Sequence, residues 1–199
     1  MCGIVSQNGT QEYTFMNIQN VEKLIAHFYP EETPLKRLLL RHSEQVREKA
    51  LEIAKLSGVE TDLNIVATGA MLHDIGILYC HAPKILCTGT EHYLRHGIIG
   101  AQMLRDLDPA LEVYARICER HTGSGLTAHE IRLQQLPLPE QDFLPETKEE
   151  KLICLADKFF SKSGDLKEKS LETVRRSMMK FGVEPLARFD ALCEEFKLK

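Results

Sequence analysis

Helix-start signals recur along this chain so often that little other than a stack of helices fits between them. Thr33-Pro34 places a capping hydroxyl before a proline at a first helical position, and the apolar series Leu35, Leu38, Leu39, Val46, Ala50 and Ile53 then runs to Gly58. That stretch is long enough to leave room for a break. Thr61 is the candidate cap of a segment closed by Gly76, and Thr90 that of EHYLRHGIIGAQML. Asp108-Pro109 opens ALEVYARICERH, which Gly123 stops. Thr127 with Glu130 and Thr147 with Glu150 form capping boxes, the second opening EEKLICLADKFFSKS up to Gly164. A first helix near 17–28 ends before Pro30, and two more, near 170–181 and 184–196, finish the chain. The segment QQLPLPEQDFLPET (134–147), with three prolines, reads as a long connecting loop. Alternating β-type runs bounded by hairpin turns are absent, so the expected fold is all-α.

Against this pattern stand polar residues on the apolar faces. Positions three and four apart share a helix face. By that test His42 lies on the stripe of Leu38 and Val46, His73 on that of Val66 and Ala70, and Asp74 beside Ala67 and Met71. His96 leads to Ile99 and Met103, His121 follows Val113 and Ile117, and Asp157 sits between Ile153 and Phe160. One inward histidine is ordinarily a hydrogen-bonded core residue, and one inward aspartate a cap or ion-pair partner. Together, these imidazoles and carboxylates would be costly to bury without a cation among them. A nitrogen and oxygen donor set suits iron or manganese first, with cobalt, nickel and, less exclusively, zinc also fitting.

In this order, His42, His73-Asp74 within HDIG and Asp157 within LADK, the chain resembles the HD superfamily of metal-dependent phosphohydrolases over about 33–164. It is similar to small bacterial and archaeal HDIG proteins and to HD-type dinucleoside tetraphosphate hydrolases. The resemblance implies the helical HD-domain, or cyclic-nucleotide-phosphodiesterase-like, fold. It also implies one metal held by His42, His73, Asp74 and Asp157, with Asp74 bridging to a second held by His96 and His121. A water activated by such metals would attack a small phosphate ester or nucleotide. His73 and Asp74 would be the catalytic pair. Many HDIG proteins carry lysine directly after the motif, where this chain has Ile77, and the GYP signature of cyclic-di-GMP phosphodiesterases is absent after His121. Lys84, His92, Arg95, Arg120 and Lys158 flank the ligand segments and are the candidate substrate contacts. HD-type di-iron oxygenases use a similar ligand series, so oxygenation is the alternative to hydrolysis. A nucleotide-binding HD protein without turnover is a further one.

At 199 residues the chain suits one domain, parsed as an N-terminal segment and helix (1–32), an HD domain (33–164) and a C-terminal helical extension (165–199). No apolar run approaches the roughly 18 residues of a membrane span. The start MCGIVSQNGTQEYTF lacks a signal peptide's basic and apolar regions, so a cytoplasmic protein without membrane partners is expected. Scattered cysteines without a CxxC pair read as reduced thiols. A net charge of −4 argues against stable nucleic-acid binding, and a homodimer stays open. MCGIV imitates the N-terminal cysteine of glutamine amidotransferases, but the helices that follow supply neither their layered β-rich fold nor their glutamine site. Cys80, His81, Cys87 and His92 are too irregularly spaced for a zinc site and read as a loop at the mouth of the metal site.

Overall fold

Thr33 opens the longest element of the computed structural model, which describes residues 18–164 and 166–198. Its hydroxyl accepts from the Lys36 N–H, Pro34 occupies the first turn, and Gly58, at φ +65°, ends the helix. Helix α2 (Pro34–Ser57) therefore runs unbroken, burying Leu35, Leu39, His42, Val46, Ala50 and Ile53 along one face. α1 (Ile18–Phe28) precedes it, and the Tyr29 hydroxyl donates to the Ile75 carbonyl at 2.8 Å. Cys2 and the rest of MCGIV lie outside the described residues.

α3 (Leu63–Leu72) begins one residue later than Thr61 suggested. Asp62 is the cap, its carboxylate accepting from both the Asn64 and Ile65 N–H groups. HDIG then leaves the α-helix for a 3₁₀ turn at Ile75–Tyr79. The next stretch corrects the reading of a helix capped by Thr90. Strands β1 (Cys80–Ala82), β2 (Cys87–Thr88) and β3 (Glu91–His92) form a small sheet in the order β2-β1-β3. β1 is antiparallel to β2 and parallel to β3. Pro83 and a left-handed Leu86 (φ +66°) turn the chain back. Gly89 passes so close to Tyr79 that a Cβ would stand 2.2 Å from its carbonyl oxygen. Strands of two or three residues are too short to show alternation, which is why the sequence hid them.

α4 (His96–Leu107) follows. A 3₁₀ turn at Pro109–Leu111, capped by Asp108, leads to α5 (Glu112–Arg120). Both capping boxes form, opening α6 (Ala128–Leu133) and α7 (Lys148–Asp157). The proline-rich 134–147 is a loop, pinned by a two-way backbone bridge between Leu126 and Phe143. α8 (Leu171–Met179) and α9 (Val183–Glu195) form a closing pair, with α9 against α7. The architecture is thus mostly helical.

Two glycines set how tightly the central layer packs. A Cβ on Gly76 would meet the His96 carbonyl oxygen at 2.2 Å and the Gly100 nitrogen at 2.4 Å, and one on Gly97 the Cys118 carbonyl oxygen at 2.5 Å. α4 therefore touches the HDIG turn and α5 backbone to backbone. That approach brings His96 within reach of Asp74 and His121.

Candidate metal centre

Each polar residue on an apolar face comes to one place in the core. His42 is mid-α2, His73 and Asp74 follow α3, His96 starts α4, His121 ends α5 and Asp157 ends α7. All are buried, His73 and Asp74 fully. They fall into two groups whose donor atoms lie within 4.8 Å of one another: His42, His73, Asp74 and Asp157; and Asp74, His96 and His121. Asp74 belongs to both. Its Oδ2 is 3.0 Å from His73 Nε2 and 3.2 Å from His42 Nε2, and its Oδ1 is 3.3 Å from His96 Nε2 and 3.5 Å from His121 Nε2.

Hydrogen bonds on the outer side fix how the rings face. His73 Nδ1–H donates to the Ala70 carbonyl at 2.7 Å, His96 Nδ1–H to Tyr93 at 2.6 Å and His121 Nδ1–H to Cys118 at 2.7 Å. A carbonyl only accepts, so in the neutral ring Nδ1 carries the proton and Nε2 presents a lone pair inward. Those lone pairs meet other acceptors: His96 and His121 face each other at 3.0 Å between Nε2 atoms, and Asp74 Oδ1, 3.3 and 3.5 Å from those two nitrogens, is buried without a hydrogen-bond partner. Lone pairs facing lone pairs in a dry core are satisfied by cations, so the residues fit a metal site.

The electrostatics agree. Burial, with the neighbouring His121 and Lys162 charges, pushes His96 down to about 3, so its ring stays neutral and able to ligate. Burial works against charge on His73 too, but Asp74 and Asp157 outweigh it and push it up to about 9. Burial alone would raise Asp74; the charges of His73 and Lys162 outweigh it and hold the carboxyl well below the usual range. Asp157 is likewise held low against burial, chiefly by Lys158 and Lys162. The centre thus sets two ionised carboxylates beside the His96 and His121 rings, which burial keeps neutral.

The candidate substrate contacts are spread more widely. Lys158 is at the cluster, its Nζ 2.7 Å from Asp157 Oδ2 and 3.0 Å from the His121 carbonyl oxygen. Arg120 is engaged by Glu146 at 2.9 Å and by the Leu144 carbonyl at 2.7 Å. Arg95 pairs with Glu91 at 2.9 Å and lines a groove of about 540 Å³ with Tyr79, Ile98, Met103 and Phe143. Lys84 and His92 are exposed, and His92 accepts from the Leu94 N–H as the cap of the short turn before α4. Of the two histidines in EHYLRH, then, His96 is the one in the cluster. The sequence reading missed Lys162, whose ammonium stands 2.6 Å from Asp74 Oδ2. It also missed Tyr93, whose ring stacks on His96 at 4.7 Å between centroids. α7 ends at Asp157, so helical spacing carries no information about where Lys162 points.

Residues 39–161 match the family model described as HD domain. An uncharacterised protein of Methanocaldococcus jannaschii is 38% identical over 122 residues, covering 60% of this chain and 64% of that one. A tRNA (cytidine(56)-2'-O)-methyltransferase of Picrophilus torridus is 39% identical over 126 residues, covering 62% of this chain and 32% of the relative. The enzyme of the same name from Thermoplasma volcanium is 32% identical over 160 residues, covering 79% and 41%. The chain spans less than two thirds of each of these curated relatives. No solved structure matches it.

Proposed function

We propose, from the premise that this chain belongs to the HD-domain family, that it is a metal-dependent phosphohydrolase acting on a small phosphate ester or nucleotide. The observation that carries the reading is the single buried carboxylate, Asp74, shared by two groups of histidine and aspartate donors. Its two oxygens face different partners, His42 and His73 on one side and His96 and His121 on the other. The arrangement suits two divalent cations per chain, iron or manganese before cobalt, nickel or zinc. Bound there, such cations would supply a water of lowered pKa and draw off charge from a phosphoryl oxygen.

The chain's own residues do the holding. The Ala70, Tyr93 and Cys118 carbonyls keep three imidazoles turned inward, and Lys158 keeps Asp157 ionised and in place. The cysteines nearby are poor nucleophiles: burial pushes Cys80 up to about 12 and Cys87 and Cys154 up to about 11, so their thiols stay protonated. Water is the attacking group this pocket favours.

The test is phosphate release by manganese- or iron-loaded protein over a panel of nucleotides and phosphate esters, in water labelled with oxygen-18. Two relatives are named for a reaction on tRNA, so oligonucleotides and nucleoside monophosphates belong in the panel. The expected result is label in the released phosphate or nucleotide and loss of turnover with chelator. Consumption of dioxygen with no phosphate released would replace the reading with oxygenation.

A further inference from the structure

Resting on the hydrolase reading, one residue outside the recognised ligand set stands out. Lys162 is only 11% exposed at its side chain, with Nζ 2.6 Å from the oxygen of Asp74 that also faces His42 and His73. Its charge also acts on Tyr93, the residue stacked on His96. The neighbouring lysines are held differently. Lys158 spans Asp157 and the His121 carbonyl, and Lys169 donates to the Lys158 and Phe160 carbonyls at 3.3 and 3.1 Å. Their ammoniums bind fixed backbone oxygens, whereas that of Lys162 sits on the shared carboxylate itself.

Lys162 also springs from a different kind of backbone. It lies beyond the end of α7, in a bend leading to Gly164 (φ +84°) and Leu166 (φ +56°), outside any helix or strand. A long side chain rooted there can redirect its ammonium without moving a ligand. An ammonium on Asp74 and a divalent cation on Asp74 claim the same oxygen and repel each other. Cations bound by this carboxylate would therefore drive the ammonium off, and the nearest compensation for a displaced ammonium is an anion brought to the metals. The sequence leaves that role open, since Ile77 stands where a lysine following HDIG would be.

We infer that Lys162 is the site's movable cation: it competes with the metals for Asp74 and, once displaced, anchors the substrate's phosphate from the far side of the pocket.

The experiment compares wild type, Lys162→Met and Lys162→Arg, each shown folded by circular dichroism. Manganese affinity is measured by equilibrium titration, and inorganic phosphate affinity by titration of the manganese-loaded protein. Lys162→Met should bind manganese about tenfold or more tightly and phosphate about tenfold or more weakly, with Lys162→Arg near wild type in both. Unchanged or weaker manganese binding in Lys162→Met overturns the competition, and unchanged phosphate binding overturns the anchor. If Lys162→Met does not fold, Lys162→Gln takes its place with the same two readouts. Neither readout requires turnover. Protein that hydrolyses nothing yet shows both shifts retains this inference while losing the hydrolase reading, and the reverse pattern separates them the other way.

Discussion

Asp74 is the residue on which the pocket depends, because each of its oxygens faces a different pair of imidazoles. Asp74→Ala should lose both metals, and activity with them, whereas His121→Ala should lose mainly the one held with His96. Metal analysis after dialysis into manganese checks this: close to two ions per chain in wild type, about one in His121→Ala and none in Asp74→Ala. Equal occupancy in all three would dismantle the grouping. At this scale helical spacing revealed much. His42, His73, Asp74, His96, His121 and Asp157 stood out as polar groups on apolar faces, and the structure gathers all of them into the core. Lys162 and Tyr93 did not stand out, since one follows a helix end and the other lies in a 3₁₀ turn. Periodicity says nothing in such places.

Elements hold the pocket open to its ligands by how closely they approach. Gly76 has no room for a methyl group against the backbone of α4. Gly76→Ala should therefore cost stability toward the upper end of the roughly 1–3 kcal/mol typical of overpacking, and should weaken metal binding by shifting His96. Thermal unfolding and a manganese titration of the same variant read both effects. A second device couples α6 to α9. Arg188 donates to Glu130 at 2.7 and 2.9 Å, while Glu130 also accepts from Thr127 in the capping box. Burial alone would raise the Glu130 carboxyl; Arg188 and Thr127 outweigh it and hold the group below its ordinary value of 4.5. A depressed folded pKa contributes stability that is present above the unfolded value and lost as pH falls through the folded one. Wild-type stability should thus fall below about pH 4.5 more steeply than that of Glu130→Gln, which already lacks the charge; parallel unfolding midpoints from pH 7 to pH 3 would count against it. Caps made the helix starts readable to within a residue in α2, α6 and α7. The sheet at 80–92 was not readable, because its strands are too short to carry a pattern and its fold-back is set by the contacts of Gly89 and Thr90 with Tyr79 and Cys80.

Across the whole molecule, the matched family region stops at residue 161, while the core continues into the closing helix pair. Phe189, Cys193 and Phe196 are buried there, and Ser124, three residues after His121, donates to the Pro185 carbonyl at 2.8 Å. A chain ending at 164 should therefore aggregate or fail to unfold cooperatively, which size exclusion and circular dichroism would reveal. The helical architecture was legible from the number of caps alone; how the tail closes over the rest was not, since nothing local in the sequence records which helix meets which. One contact has a longer reach than its size suggests. His42 Nε2 and Asp157 Oδ1 stand 3.0 Å apart across 115 positions of chain, so the pocket exists only after a long loop has closed, a late and slow event for a folding chain. Ions that bind the closed form and not the open chain add about 2.7 kcal/mol per site at a hundredfold excess over Kd. Metal supply would then set the working lifetime of each molecule as well as its chemistry: starved of cations, the chain reopens more often and is cut sooner by proteases, a difference that digestion with and without manganese would measure directly.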